Sequence, residues 1–425
     1  MNRIKQALPK GRIWSIIGLL LALLIFFVGL DLLSDAFELL GEGAAEALLA
    51  ATANPIVGVF TGILATTLLQ SSSTTTSLTV ALVAAGAIDT AAAIPVMLGA
   101  NIGTSVTNSI VSLGHLNNRE EFQRAFTGAM VLDYFNIIVV IIFLPIELTT
   151  RLLSWSATQL TNAFVGIGVI ELFNPIDVVV EPIAEFIVDL TQETGWIVLA
   201  IAFAAIYFGI RSLVKVLRSL LDDDLESKIK KYLFKTPWQA MLFGLVITIA
   251  VQSSSITTSV IIPIIALAVV TAMQVLPYFL GANIGTSTTA LIAATALASD
   301  GDPAGVASLN VAFVHLVLEF FAIALLFPIM KIRQIPVWLA ERTAGFFTQG
   351  RFFAIGYVAF LFYLLPLSGV WLTGDLEVAD FYEPVVPQEV QELEAGEVAA
   401  EEVEEVEEVT DADDVDSDSE NGEEG

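Results

Sequence analysis

Gln70-Ser71-Ser72-Ser73-Thr74-Thr75-Thr76-Ser77 returns 182 residues later as Gln252-Ser253-Ser254-Ser255-Ile256-Thr257-Thr258-Ser259. The same shift, with no gap, lays Gly99-Ala100-Asn101-Ile102-Gly103-Thr104-Ser105 on Gly281-Ala282-Asn283-Ile284-Gly285-Thr286-Ser287. Pro55 meets Pro237, Gly62 meets Gly244 and Pro95 meets Pro277, so that 21 of the 53 positions from Pro55 to Thr107 are identical. Biased apolar composition would scatter matches over Ala and Leu, whereas these fall on Gln, Asn, Ser, Thr, Gly and Pro. The chain is internally duplicated, and in membrane proteins such repeats build a shared site between them.

Composition fixes the class. Of 425 residues 56% are hydrophobic and 15% charged, and there is no cysteine; the mean hydropathy is +0.78. Those values exclude an ordinary soluble enzyme, a disulfide scaffold and a zinc or thiol site, and describe an integral membrane protein. The net charge of −28 is local: residues 373–425 hold 22 Asp or Glu and no Lys or Arg, leaving −6 for the rest. That tail reads as a solvated, disordered arm. With no basic stripe there is nothing to hold a nucleic-acid backbone.

A spanning helix needs about 20 apolar residues to cross a core of about 30 Å. Seven such spans fit, near Trp14–Leu33, Pro95–Leu113, Ala125–Glu147, Trp196–Leu217, Pro277–Ala298, Val306–Ile329 and Phe352–Leu372. Pro55–Leu69 and Pro237–Val251 are too short, since 15 residues rise only about 22 Å before each reaches a polar Gln-Ser-Ser-Ser turn. They are expected to be re-entrant hairpins whose tips face an internal cavity, because irregular backbone survives at that depth only where protein or water satisfies it. The expected architecture is an all-α membrane protein of two inverted repeats, each with one such hairpin, plus about seven full spans.

Orientation follows the basic residues. Arg3, Lys5, Lys10 and Arg12 put the N-terminus in the cytoplasm. Asp31, Asp35 and Glu38 follow the first helix of repeat one, whereas Arg211, Lys215 and Arg218 lie at the end of its counterpart, so the repeats are inverted. The linker 148–194 carries Asp177, Glu181, Glu185 and Asp189 at four-residue spacing, an acidic helix face suited to lying outside. The segments are a cytoplasmic start (1–13), repeat one (14–147), the outer linker (148–194), repeat two (195–330), an inner loop with the last span (331–372) and the tail (373–425). Seven crossings put the tail outside. The basic start and apolar run could also be a cleaved signal peptide, but the run is too long and no small-residue cleavage pattern follows.

A Ser/Thr cluster opening a helix after a break leaves backbone N–H groups unpaired and sets hydroxyls beside them, an anion site reinforced by the helix dipole. The spans hold almost no Lys or Arg, so positive charge must come from elsewhere. The helices ending at Leu69 and Val251 turn carbonyls toward the same tips, and with Gln70 and Gln252 these are hard oxygens suited to Na⁺. Gly99 and Gly103 form a small-xxx-small face for close helix packing. Thr104 with Thr107, and Thr286 with Thr289, share helical faces that could close cation sites. Asp133, Asn136, His315 and Glu319 are polar residues within spans, read equally as functional groups or as polar packing contacts. There is no nucleophile paired with a base, no metal cluster and no phosphate-binding loop of an ATP-driven pump, so the chain reads as a transporter and not an enzyme. The residues alone leave open which small oxyanion is carried, sulfate and arsenate included. They also leave a passive channel as the reading from another class, although half-helices meeting at mid-depth suit alternating access better.

The paired Gln-Ser-Ser-Ser and Gly-Ala-Asn-Ile-Gly-Thr-Ser motifs resemble those of the type II sodium/phosphate cotransporter family. The likeness continues through Arg124-Ala125-Phe126 and Asp133-Tyr134-Phe135-Asn136 to Leu144-Pro145, over roughly residues 14–372. The resemblance implies Na⁺-coupled phosphate uptake in a bacterial inner membrane, with no cofactor beyond the coupling ion and with phosphate, sodium and lipid as partners; a homodimer stays open. It implies one sodium site at Gln252, Ser253, Thr286 and Thr289 and a pseudosymmetric one at Gln70, Ser71, Thr104 and Thr107. Phosphate would lie between the tips, with Ser72, Ser73, Thr74, Asn101, Ser254, Ser255 and Asn283 as its candidate ligands. Two departures matter. Electrogenic members carry an acidic residue where this chain has Asn118, which implies fewer coupled Na⁺ and electroneutral transport. Animal members continue with one more span, and without it the tail is expected outside.

Overall fold

The computed structural model describes residues 10–41, 54–164, 177–220, 223–297 and 303–373, and its regular structure is helical throughout, with no strand among the described residues. The acidic tail and residues 165–176 of the linker lie outside the described residues. Repeat one comprises α1 (Lys10–Gly41), α2 (Pro55–Leu69), α3 (Ser72–Ala84), α4 (Thr90–Gly103), α5 (Val106–Leu113) and α6 (Arg119–Thr150), and α7 (Leu152–Phe164) opens the linker. The linker contains α8 (Asp177–Leu190). Repeat two runs through α9 (Gly195–Leu220), α10 (Asp223–Tyr232), α11 (Pro237–Val251), α12 (Ser254–Val260), α13 (Ile262–Ala266), α14 (Ala272–Leu297) and α15 (Pro303–Leu326), and α16 (Met330–Phe347) follows it. A last helix, α17 (Arg351–Ala359) and α18 (Leu365–Thr373), is joined by a π-helical turn at Phe360–Leu364.

The duplication in sequence is a duplication in structure. α2 and α11 begin and end at positions related by the 182-residue shift, each with proline at its first turn. Proline suits that place because its missing N–H would be unpaired there anyway. Asn54 accepts from the N–H groups of Ile56 and Val57, and Thr236 forms a reciprocal capping box with Gln239. Both helices stop at a glutamine in the left-handed region, Gln70 at φ 50°, ψ 17° and Gln252 at φ 54°, ψ 16°. That conformation is unfavourable for a side-chain-bearing residue, so its recurrence marks an imposed geometry.

Two predicted elements come out differently. The expected continuous span Pro95–Leu113 is interrupted at Thr104-Ser105, between α4 and α5. There Ser105 Oγ donates to the Ile102 carbonyl three residues back at 2.9 Å, and its N–H bonds the same carbonyl. An i−3 bond of this kind tightens the turn. Its counterpart Ser287 bonds four residues back, to Asn283 at 3.4 Å, and α14 runs on unbroken. The second arm of the later hairpin divides at Ile261, just before Pro263, whereas α3 has Ala81 at the corresponding place and stays whole.

Four helical stretches among the described residues are long and apolar enough to cross a membrane: Arg119–Thr150, Gly195–Val216, Gly305–Leu326 and Arg351–Leu372. Of the other expected spans, the first is represented by the shorter apolar stretch Ile17–Leu33 within the 32-residue α1. Trp14, Trp196, Phe208, Trp238, Phe352 and Trp371 stand exposed around the exterior, as side chains do in a protein solvated by lipid.

The hairpins are held by glycine seams. α2 packs along α4, and α11 along α14. A Cβ at Gly62 would collide with the Val96 carbonyl, and one at Gly99 with that of Val59; at Gly244 and Gly281 it would strike Tyr278 and Met241. One further turn along, Gly103 and Gly285 face Thr66 and Thr248. The glycine motif is thus a packing device that brings the second motif helix against the first hairpin arm. The repeats also interlock, since α3 packs on α14 and α15, and α13 on α6.

Replacing Gly281 by alanine should therefore lower stability by about 1–3 kcal/mol, the usual cost of forced overpacking. Gly356→Ala, where an added Cβ meets nothing within 4 Å, is the control. Thermal unfolding of the detergent-solubilised variants checks this, with a clear fall in midpoint for the first only.

Candidate functional site

At each helix break the chain leaves the left-handed glutamine, extends through one serine and starts a new helix. Ser71 (φ −144°, ψ 111°) and Ser253 (φ −135°, ψ 111°) are the N-caps. Ser71 Oγ accepts from Thr74 N–H at 3.1 Å and from Thr74 Oγ1 at 2.9 Å, and Ser253 Oγ accepts from Ile256 N–H at 3.3 Å. The ladder begins with Thr75 N–H to Ser71 O and Thr257 N–H to Ser253 O. The N–H groups of Ser72, Ser73, Ser254 and Ser255 precede that ladder, so the helix itself offers them no acceptor.

The two breaks touch. Ser72 Oγ and Ser254 Oγ, equivalent under the repeat shift, are 3.2 Å apart, and both residues are 2% exposed. Ser255 Oγ donates to the Gln70 carbonyl at 3.3 Å. A cavity of about 340 Å³ opens beside this junction, lined by Gln70, Ser71, Ser73, Thr74 and Thr107 from repeat one and by Gln252, Ser253 and Ser255 from repeat two. Among the described residues no Lys or Arg lines it. Favourable charge for an anion there must come from helix N-termini, hydroxyls and bound cations.

The sodium candidates divide by what they touch. Thr107 Oγ1 donates to Gln70 Oε1 at 3.4 Å, joining two members of the first set. Gln70 Nε2 donates to the Thr67 carbonyl at 2.5 Å, which aims its Oε1. Thr104 and Thr286 donate to the carbonyls of Ala100 and Ala282, four residues back, at 2.9 and 3.1 Å. Those bonds use the hydroxyl proton and leave the oxygen's lone pairs as acceptors. Gln252 and Ser253 reach the cavity. The side chain of Thr289 lies outside the described residues.

Of the phosphate candidates, Ser72, Ser73, Thr74, Ser254 and Ser255 stand at the junction or line the cavity. Asn101 and Asn283 are engaged elsewhere. Asn101 donates to Glu319 on α15, and Asn283 donates to Asn136 on α6 at 3.1 Å. Sequence spacing could not show this, because it reports which residues share a helix face and not which neighbour that face meets.

Several residues at the site carried no earlier functional weight. Asn108 Oδ1, on α5, accepts from Thr258 at 2.9 Å and from Ser259 at 3.2 Å, tying repeat one to the second serine helix. The π-helical turn of the last helix meets the first hairpin, where the Phe362 carbonyl accepts from Thr67 Oγ1 at 3.2 Å. Such turns recur at functional sites. Asp31 and Asp35 of α1 and Glu181 and Glu185 of α8 also line the cavity. The first pair served above as an orientation marker and the second as a solvated face; their four-residue spacing was visible, but not their convergence. Asp133, which the sequence left as either a functional group or a packing contact, is fully buried, and its Oδ2 accepts from Tyr357 on the last helix at 2.8 Å.

Because the chain has no cysteine, the contact between breaks can be tested by chemistry. A double variant, Ser72→Cys with Ser254→Cys, carries two thiols at the touching positions and should close a disulfide under mild oxidation. Both sulfurs should then resist maleimide until reduced. Two thiols that stay free and label fully would contradict the contact.

Comparison with known proteins bears on the same residues. The family model described as Na+/Pi-cotransporter matches residues 25–175 and 206–346, which include both serine motifs and both glycine motifs. The chain is 30% identical over 465 residues to sodium-dependent phosphate transport protein 2B of Pongo abelii, covering 87% of this chain and 67% of that protein. It is 32% identical over 428 residues to sodium-dependent phosphate transport protein 2A of Ovis aries, covering 82% and 66%. The 2A protein of Mus musculus is likewise 32% identical, over 436 residues, covering 84% and 68%. No solved structure matches. The likeness extends through the helices that form the touching breaks, and the chain belongs to the Na+/Pi-cotransporter family.

Proposed function

We infer that this protein is a secondary active transporter, a sodium-coupled symporter of inorganic phosphate working by alternating access. The observation that carries the mechanism is the junction of Ser72 with Ser254 beside a polar cavity that lacks basic side chains. Membership of a cotransporter family supports the choice of phosphate and sodium over other ions.

The tips act as a two-sided cradle. The early N–H groups of α3 and α12, with the hydroxyls of Ser72, Ser73, Thr74, Ser254 and Ser255, donate to phosphate oxygens. Each helix start adds about half a positive charge in a medium of low dielectric, where it counts for more than in water. That is too little to hold a doubly charged anion. Sodium supplies the rest, held by Gln70, Ser71, Thr104 and Thr107 on one side and by Gln252, Ser253, Thr286 and Thr289 on the other. Each ion is stabilised by the anion between them, so neither species binds well alone, and that mutual requirement is the coupling. Asn101 and Asn283 fix the motif helices instead of touching phosphate. The carboxylates of Asp31, Asp35, Glu181 and Glu185 raise local cation concentration at the cavity.

In this reading α2–α3 and α11–α13 are re-entrant hairpins entering from opposite faces of a bacterial inner membrane, within inverted repeats at 14–147 and 195–330. The N-terminus is cytoplasmic and the linker 148–194 lies outside. The glycine seams let each hairpin move with its motif helix as a unit, which alternating access requires. With Asn118 in place of an acidic residue, two sodium ions accompany one doubly charged phosphate and no net charge moves. A cycle that moved one charge would gain about 2.3 kcal/mol per 100 mV.

The test is uptake of labelled phosphate into liposomes holding the purified protein. Uphill accumulation is expected with a sodium gradient, without phosphate-evoked current, and should vanish when K⁺ replaces Na⁺. Ser72→Ala and Ser254→Ala should each slow it by about tenfold or more, the effect of losing a hydrogen bond to a charged group. Equal uptake in every arm would overturn the reading.

A further inference from the structure

Outside the serine cavity, a second set of polar groups lies between the repeats. Glu319 on α15 is fully buried. Its Oε1 accepts from Asn101 Nδ2 on α4, while its Oε2 has no partner. Asn283 on α14, the counterpart of Asn101 under the repeat shift, faces the same carboxylate. Asn283 donates from Nδ2 to Asn136 Oδ1, and its own Oδ1 has no partner. Asn136 closes the set by donating to the Asn101 carbonyl at 2.5 Å. One carboxylate and the two motif asparagines, one from each repeat, are thus bridged through Asn136, and Glu319 Oε2 and Asn283 Oδ1 are left without a hydrogen bond.

Among the described residues, no fixed positive charge answers this carboxylate. The described helices packed most closely on α15 are α14, α7, α3 and α4. Their only titratable side chain is Tyr278, whose hydroxyl donates to the Thr257 carbonyl at 2.8 Å. On α15 itself His315 lies one turn earlier, with neither ring nitrogen hydrogen-bonded. On α6, which supplies Asn136, the nearest acid is Asp133, held by Tyr357. A buried carboxylate left without a counter-charge is far costlier than one that is paired, and two buried acceptors with no hydrogen between them add to that cost.

We propose that Glu319 Oε2 and Asn283 Oδ1 form a seat for a small monovalent cation, sodium or a proton, at the interface between the repeats. Either occupant supplies what the site lacks, a positive centre facing hard oxygens, and either ties α15 and α4 to α14. The proposal deepens the transport reading and rests on it. Asn101 and Asn283 stand one helical turn before Thr104 and Thr286, so occupancy of this seat reaches both proposed sodium sites along α4 and α14. Its occupant is a resident cation, distinct from the two carried at the hairpin tips, so the electroneutral stoichiometry proposed above is unchanged.

The test compares the full-length parent with Glu319→Gln, which keeps an acceptor for Asn101 and offers Asn283 a hydrogen, mimicking the occupied seat without charge. Radiolabelled sodium bound at equilibrium is counted for each protein, and proton release is followed with a pH electrode as the pH is raised. If sodium occupies the seat, the variant binds one ion fewer per chain. If a proton does, the sodium count is unchanged, but the parent releases about one proton per chain on raising the pH that the variant does not. Identical sodium counts and identical proton release in both would overturn the proposal. Should Glu319→Gln fail to fold, Glu319→Asp retains the charge at shorter reach and should weaken sodium or proton binding without changing the count; unchanged affinity would again overturn it. Neither readout needs transport, so failure here is separable from absence of sodium-dependent uptake by the parent.

Discussion

A helix that stops inside an apolar surround leaves carbonyls at one end and N–H groups at the other, and no water is there to meet them. Everything distinctive in this protein follows from having two such interruptions and placing them against one another. The unpaired groups are not a defect to be hidden. Ser72 and Ser254 meet at the junction and Gln70 and Gln252 turn to release their helices, and in the proposed function the donors and acceptors gathered there are the ligand set. Carbonyl and amide oxygens suit sodium, and N–H and hydroxyl groups suit an oxyanion. The two classes of group alternate within a few residues, which is why cation and anion can bind side by side.

That arrangement demands rigid support close behind it. The seams at Gly62–Gly99 and Gly244–Gly281 supply this by bringing backbone against backbone, an approach that any side chain would block. Close packing of small residues is the main source of helix association in lipid, where burial of apolar surface between helices gains little. The same motif then continues into Thr104 and Thr286, so the packing glycines and the proposed sodium ligands lie on successive turns. Cross-repeat bonds from Thr258 and Ser259 to Asn108 add a polar tie between the repeats.

Much of this was legible in the sequence because duplication makes signal out of otherwise bland residues. A run of serines and threonines in one apolar helix says little, but the same run at a fixed distance from the same glycine motif, twice, marks a shared site. The helix breaks at Gln70 and Gln252 and the membrane class followed from that and from hydropathy. What stayed hidden depends on contacts between elements remote in sequence. The interruption at Ser105 turns on whether one hydroxyl bonds three or four residues back. The asparagines of the glycine motif looked like ligands for phosphate, yet their partners are Glu319 and Asn136 on helices far along the chain. The π-helical turn at Phe360–Leu364 has no sequence period to betray it, and the convergence of Asp31, Asp35, Glu181 and Glu185 required knowing that α8 packs on α1.

If one anion is held jointly by both breaks, the contributions of the two serines to its affinity cannot be independent. A double-mutant cycle on the phosphate dissociation constant, using Ser72→Ala, Ser254→Ala and the double variant at saturating sodium, measures that directly. The account predicts strong non-additivity, with a coupling of about 1 kcal/mol or more and a double variant little weaker than either single one. Strictly additive losses would mean that the two serines serve separate sites, and would contradict a single cage built from both repeats.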